Sequence, residues 1–171
     1  MNTKVHRGYE ALLAGRWSQG GVDYFLTGCL QRPLTGLTNE SLGAAVLAKL
    51  HELEAANLWH LRTCVLMPDH FHLLVTLGPE SDLSATMRHF KGPLSATLRH
   101  QGLRWQEGFY EHRVRTADEL LPIFLYILLN PYRANLIAPA EKWPWYYCAP
   151  NDWAWFGELT NESVPLPEWL Q

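Results

Sequence analysis

The sequence predicts an α+β fold, an antiparallel sheet with helices packed mainly on one of its faces. Three observations carry that prediction. Residues 22–32 alternate with a period of two, and residues 58–67 and 72–77 are apolar runs parted by a turn. Apolar stripes at helical spacing fall between and after the strands. The resulting order is strand, helix, strand, strand, helix, strand, helix, as in a split βαβ unit.

The elements follow in turn. Val22–Arg32 sets Tyr24, Leu26 and Leu30 on one face and Phe25, Thr27 and Cys29 on the other. Gly20-Gly21 and Pro33 bound it as breakers. Thr38 is the expected N-cap of a helix through Ala56, in which Leu42, Val46, Leu50 and Leu53 form the core stripe. Leu58–Met67 and His72–Leu77 read as strands. Pro68-Asp69 between them suits the central positions of a tight turn, giving an antiparallel hairpin. Ser81–Gln101 reads as a helix with a fault at Gly92-Pro93, and Trp105–Arg115 as a further strand. Thr116-Ala117-Asp118-Glu119 has the capping-box form. It opens a helix over Leu121–Asn130 that is kinked at Pro122 and stops before Pro131. Five tryptophans and four prolines from Trp143 onward predict an irregular tail packed on the body.

A length of 171 residues suits one domain, with a core over about 17–147 and a C-terminal tail over 148–171. Apolar residues at 47% against 18% charged exclude a disordered chain. No run approaches the ~20 apolar residues of a membrane span, and the first residues have no apolar leader segment, so a cytoplasmic location is expected. Cys29, Cys64 and Cys148 form no CxxC pair, which speaks against a disulfide framework or a thiolate zinc site. The net charge of −3 speaks against a uniformly basic nucleic-acid binder. Yet Arg88, Lys91, Arg99, Arg104, Arg113 and Arg115 face only Glu107 and Glu111 in their stretch, while residues 137–171 are acidic. Screening acts over about 8 Å at physiological salt, so a basic middle can meet phosphates beside an acidic tail. Two ordinary solvated faces would give the same pattern.

Two segments hold candidate chemistry. In His70-Phe71-His72, residues two apart on a strand share a face, so two imidazoles stand side by side. Neutral imidazoles in that arrangement can hold a metal ion, and two solvated histidines on a polar strand face are the plainer alternative. The apolar Leu73-Leu74-Val75 that follows argues for a central strand, where polar rings need partners. In Tyr126-Ile127-Leu128-Leu129-Asn130, the tyrosine and the asparagine lie four apart on one helix face. A core tyrosine and a C-terminal cap would also fit.

Together these segments resemble the single-tyrosine HUH (His-hydrophobic-His) transposases, and within them the REP-associated tyrosine transposases. The motif itself is MPDHFHLLV; GGVDYFLTG, WQEGFYEHRVR, YILLNPYRANLI and EKWPWYY match in order, from about residue 17 to about 147. The resemblance implies a ferredoxin-like sheet, a divalent metal (Mg²⁺ or Mn²⁺) on His70 and His72, and Tyr126 on a late helix as nucleophile. Asn130 would complete the metal site; the insertion-sequence branch has glutamine there. Tyr132 is the rival nucleophile, expected off the helix beyond Pro131. The implied reaction is cleavage and rejoining of single-stranded DNA at REP-type hairpins through a 5′-phosphotyrosine. Insertion-sequence relatives act as dimers and the REP-associated branch is more monomer-like, so a monomer or a homodimer is expected. By residue type, Arg88, Lys91, Arg99, Arg104, Arg113 and Arg115 would track the DNA backbone, and Tyr24, Phe25 and Trp105 could stack bases. Two other readings stand beside this one. The first is a non-catalytic hairpin-DNA-binding protein that retains the fold. The second is a metal hydrolase, for which Asp69, expected on the opposite strand face, offers no obvious base.

Overall fold

The computed structural model describes residues 18–159 and residue 168. The residues read for a leader segment (1–17) and the Pro165-to-Pro167 part of the tail lie outside the described residues. Strand β1 (Asp23–Cys29) is followed by helix α1 (Glu40–Ala55), strands β2 (Trp59–Leu66) and β3 (His70–Leu77), helix α2 (Leu83–His100) and strand β4 (Tyr110–Arg113). A 3₁₀ turn (Ala117–Glu119) leads into helix α3 (Leu120–Arg133), then strand β5 (Tyr146–Cys148) and helix α4 (Pro150–Leu159). The strands lie in the order β4-β1-β3-β2-β5, all antiparallel. The first four form the ferredoxin-like arrangement, and the class is α+β as the sequence predicts. Among the described residues no helix is long and apolar enough to cross a membrane.

Period-two alternation divides the sheet into two faces. Tyr24 and Leu26 on β1 and Phe71, Leu73 and Val75 on β3 pack beneath α1 and α2, with Leu42, Val46, Met87, Phe90 and Leu98. Phe71 sits edge-on to Phe90 and Trp105. Gly28 opposite it is obligatory in this packing, since an added Cβ would lie 2.3 Å from the Phe71 ring. On the other face Val65, Leu74, Phe124, Ile127, Leu128 and Phe156 join the sheet to α3 and α4. Helices therefore cover both faces. The ferredoxin-like pair lies on one, as expected, and the late helices close the other. An ion network ties this second layer. Arg62 pairs with Asp23 (2.6 Å) and Asp152 (2.5 Å), and Asp152 also accepts from Trp155 Nε1.

Local rules fail where packing outweighs them. The N-cap of α1 is Asn39, one residue beyond Thr38, and its carbonyl accepts from Gly43 N. Helix α2 runs unbroken through Gly92-Pro93, because Leu83, Met87, Phe90, Leu94 and Leu98 are buried along one stripe. Pro122 falls in the first turn of α3, where N–H groups have no helical partner, so it makes no kink. Pro131 lies inside α3, which continues to Arg133 because Leu128, Leu129 and Pro131 are buried against the body. The left-handed Asn135 follows the helix end (φ 55°). The expected strand over 105–115 narrows to β4, with one isolated bridge at Trp105. The tail is more regular than expected, since β5 extends the sheet beside β2 and α4 caps it.

Candidate functional site

The tight turn at Met67-Pro68-Asp69 closes with Met67 N donating to the His70 carbonyl (2.8 Å) and starts β3 at His70. Both histidines then project from the face opposite Phe71. In the β1–β3 register Thr27 pairs with His72 and Cys29 with His70, so these four side chains form a two-by-two patch. The rings of His70 and His72 are 4.8 Å apart.

Each imidazole is oriented by a neighbour. His70 Nδ1 donates to Asp69 Oδ1 (2.6 Å), which leaves Nε2 with its lone pair. Asp69 lies in the turn before β3 and lines the cleft, in contrast to the opposite-face placement expected from the sequence. His72 Nδ1 meets Thr27 Oγ1 at 2.7 Å, and we assign the ring proton to that contact. Its Nε2 then accepts from the Tyr126 hydroxyl at 3.3 Å. His72 is only 5% exposed. Burial, and after it the charge of His70, push its pKa down to about 3, so the ring is neutral and fit to act as a ligand.

Helix α3 brings Tyr126 over the sheet. The ring is 41% exposed and stands against His72 (5.0 Å) and Phe25 (5.8 Å, interplanar 83°). Phe25 also stacks on His72 (5.4 Å, 20°), so the three rings form one cluster. The capping box fixes the start of this helix unit: Glu119 Oε1 accepts from Thr116 N, and Oε2 pairs with His112 at 2.7 Å. A cleft of about 790 Å³ opens here, lined by Thr27, Cys29, Gln31, Arg32, Asp69, His70, His72, Gln106 and Tyr126.

The residues present suit a divalent metal in part. Two imidazoles with oriented Nδ1 atoms are a sound ligand pair. Among the described residues no third His, Cys, Asp or Glu joins them in a group that could hold an ion. The Cys29 thiol is raised by burial and by Asp69, so it stays protonated and is a poor donor. Asn130 is half-buried one turn beyond Tyr126 and is not among the residues lining the cleft. Remaining ligands would have to be oxygens from an amide, water or phosphate.

The other expected residues are dispersed. Tyr24 is 3% exposed and its hydroxyl accepts from Gln19 N, so its ring is core and not a stacking surface. Trp105 packs against Phe71 and donates Nε1 to the Lys91 carbonyl. Lys91 is half-buried beneath the Trp105 ring (5.4 Å) and donates to the Gln106 and Gly108 carbonyls (3.0 and 2.6 Å). It braces the 106–108 loop and is not a free cation. Arg88 and Arg99 are exposed on α2, across the sheet from the histidines. Arg113 and Arg115 line a separate cleft of about 710 Å³ beside the start of α3. Arg104 is exposed next to the end of β1, its carbonyl accepting from Gln31 N. The six cations thus form no single track. Tyr132 lies on α3, not off it, and its hydroxyl donates to the Glu141 carbonyl at 2.7 Å. The roles of Thr27, Arg32 and Gln106 at the cleft were not legible in the sequence. Thr27 was placed on the correct strand face, but its partner depends on a register between strands more than forty positions apart.

Comparison with known proteins identifies the family and the fold. The family described as "Transposase IS200 like" matches residues 32–127. A Haemophilus influenzae protein whose name, REP-associated tyrosine transposase, is itself provisional is 27% identical over 145 residues, covering 75% of this chain and 80% of that one. A solved structure of a REP-associated tyrosine transposase bound to a REP hairpin superposes with a TM-score of 0.66 at 23% identity, covering 86% of this chain and 93% of the other.

Proposed function

Because this chain belongs to the IS200-like transposase family, we propose that it cleaves and rejoins single-stranded DNA at hairpins, using Tyr126 as the nucleophile. The observation that carries the reading is the Tyr126 hydroxyl 3.3 Å from Nε2 of a buried, neutral His72, in one cleft with His70 and Arg32. The relative solved with a REP hairpin supports hairpin DNA as the substrate.

In the step, Tyr126 Oη forms a bond to phosphorus and the bond from phosphorus to the 3′ oxygen breaks. The phenol loses its proton and the leaving 3′ oxygen gains one, giving a free 3′-hydroxyl and a 5′-phosphotyrosine. One phosphoester replaces another, so rejoining needs no nucleotide cofactor. His70 and His72 would hold a divalent metal, Mg²⁺ or Mn²⁺, with Asn130 as the remaining candidate donor; when bound it supplies positive charge for the transferring phosphate. Tyrosine has an ordinary pKa near ~10 and is a weak nucleophile when protonated. With a metal ion held by these histidines, positive charge would stand beside Tyr126 and favour its phenolate. Asp69 and Thr27 orient the imidazoles, and the Arg32 guanidinium would pair with phosphate oxygens.

The test uses hairpin DNA built from inverted repeats flanking the encoding gene, mixed with the protein and Mn²⁺ and resolved on a denaturing gel. Wild type should give a covalent adduct. Tyr126→Phe should lose it and keep hairpin binding. His70→Ala and His72→Ala should each lose both the adduct and Mn²⁺ binding. Substantial metal-dependent cleavage by the double histidine variant would place the metal elsewhere. Tight hairpin binding with no adduct from wild type would make the protein a non-catalytic hairpin binder.

A further inference from the structure

We propose that Tyr110, on the open edge of the sheet, is a stacking platform for a nucleobase of the strand that Tyr126 cleaves; this rests on the strand-transfer reading above. Most large aromatic side chains near the sheet serve packing, as Tyr24, Trp59 and Trp105 do. Tyr110 does not. It is 59% exposed, and with Tyr126 and Leu136 it is one of three exposed large apolar side chains among the described residues.

Single exposed rings are common and need no explanation. Here two exposed tyrosines share one place. Both stand edge-on to Phe25, Tyr110 at 6.4 Å and 70°, Tyr126 at 5.8 Å and 83°. The β1–β4 register pairs Tyr110 with Thr27, and the β1–β3 register pairs Thr27 with His72. Paired residues project from the same face. Tyr110, Thr27 and His72 therefore form one row from the sheet edge to the histidine site, with Phe25 packed between the two tyrosine rings.

Such a row suits a single strand. The phosphate to be attacked must reach Tyr126, so a neighbouring base is carried along the same sheet face. An exposed ring beside the phosphate site offers that base a π-face. Stacking of this kind tolerates any base sequence and contributes through the ring, not through the hydroxyl. Among the described residues no side-chain hydrogen bond ties the Tyr110 ring to the fold, and the ring is 59% exposed.

The test compares the full chain and its variants for binding to fluorescein-labelled oligo(dA) and to an abasic strand of equal length, which has the same phosphates and no bases. Wild type should prefer oligo(dA). Tyr110→Ala should weaken oligo(dA) binding roughly 5- to 150-fold, the span set by one lost stack, and leave abasic binding unchanged. Tyr110→Phe and Tyr110→Trp should retain the preference, while Tyr110→Leu, apolar and bulky without a π-face, should lose it. An unaltered preference in Tyr110→Ala, equal losses on both strands, or full retention in Tyr110→Leu would each overturn the subsite. Wild type that forms the covalent adduct while Tyr110→Ala keeps its preference overturns the subsite alone. Wild type that neither forms the adduct nor prefers single strands to blunt duplex overturns the strand-transfer reading, and the subsite with it.

Discussion

Thr27→Val exchanges one hydroxyl for a methyl on β1 while keeping the β-branched shape that suits a strand. The hydroxyl is the partner of His72 Nδ1 at 2.7 Å. His72 is 5% exposed, so water cannot readily replace the lost partner. An unsatisfied buried polar group costs about 1–3 kcal/mol. The added methyl returns at most ~0.8 kcal/mol, because Thr27 is itself half-buried. With the full methyl return, the net loss of stability should be about 0.2–2.2 kcal/mol. If His72 holds a metal, the same bond fixes its tautomer, and removing such an orienting partner lowers metal affinity about 10- to 100-fold. Thr27→Ser keeps the hydroxyl and should retain most of both properties. Urea unfolding of the metal-free chain measures the first quantity, and Mn²⁺ isothermal titration of the same preparations measures the second. An unchanged urea midpoint together with unchanged Mn²⁺ affinity in Thr27→Val would refute the reasoning, as would Thr27→Ser behaving like Thr27→Val.

Tyr132→Phe removes the hydrogen bond to the Glu141 carbonyl. It should cost about 0.5–1.5 kcal/mol in urea unfolding and leave adduct yield on the denaturing gel unchanged. Lys91→Met strips two carbonyls of their donor, so it should lower the urea midpoint while the salt dependence of DNA binding keeps its slope. Loss of a cation that does contact phosphate would reduce that slope by about one, which binding titrations across a salt series would detect. Burial, and then the charge of His70, hold His72 near 3, against ~6.5 in the unfolded chain. Between those values the unfolded chain binds a proton that the folded chain does not, so stability falls as pH drops through that window. Metal-free wild type should therefore lose ~2 kcal/mol more than His72→Gln between about pH 7 and pH 5. Parallel curves from urea titrations at the two pH values would show that His72 is not held neutral.

What depends on neighbours along the chain was determined by the sequence. Alternation on β1 and β3 requires no tertiary knowledge, so the two faces of Tyr24-Phe25-Leu26-Thr27 and the pairing of His70 with His72 follow from a period of two. The hairpin at Pro68-Asp69 and the capping box at Thr116–Glu119 are likewise local, as is the position of Tyr126 one helical turn before Asn130. The motif set was also specific enough to resemble the family that the comparisons show. Tertiary structure decided the rest. Pro131 breaks a helix in isolation, yet α3 runs through it because Leu128, Leu129 and Pro131 are buried together. Residues 146–148 read as irregular alone and become a strand only because the β2 edge is there to pair with them. Lys91 reads as a phosphate contact until the 106–108 loop folds over it and presents two carbonyls. Thr27 meets His72, and Tyr110 joins their row, only through strand register, which is set by distant segments burying their apolar faces against one core. Propensity acts over a few residues and amounts to tenths of a kilocalorie each, whereas the burial of whole faces sums over the domain, so where the two conflict the packing prevails.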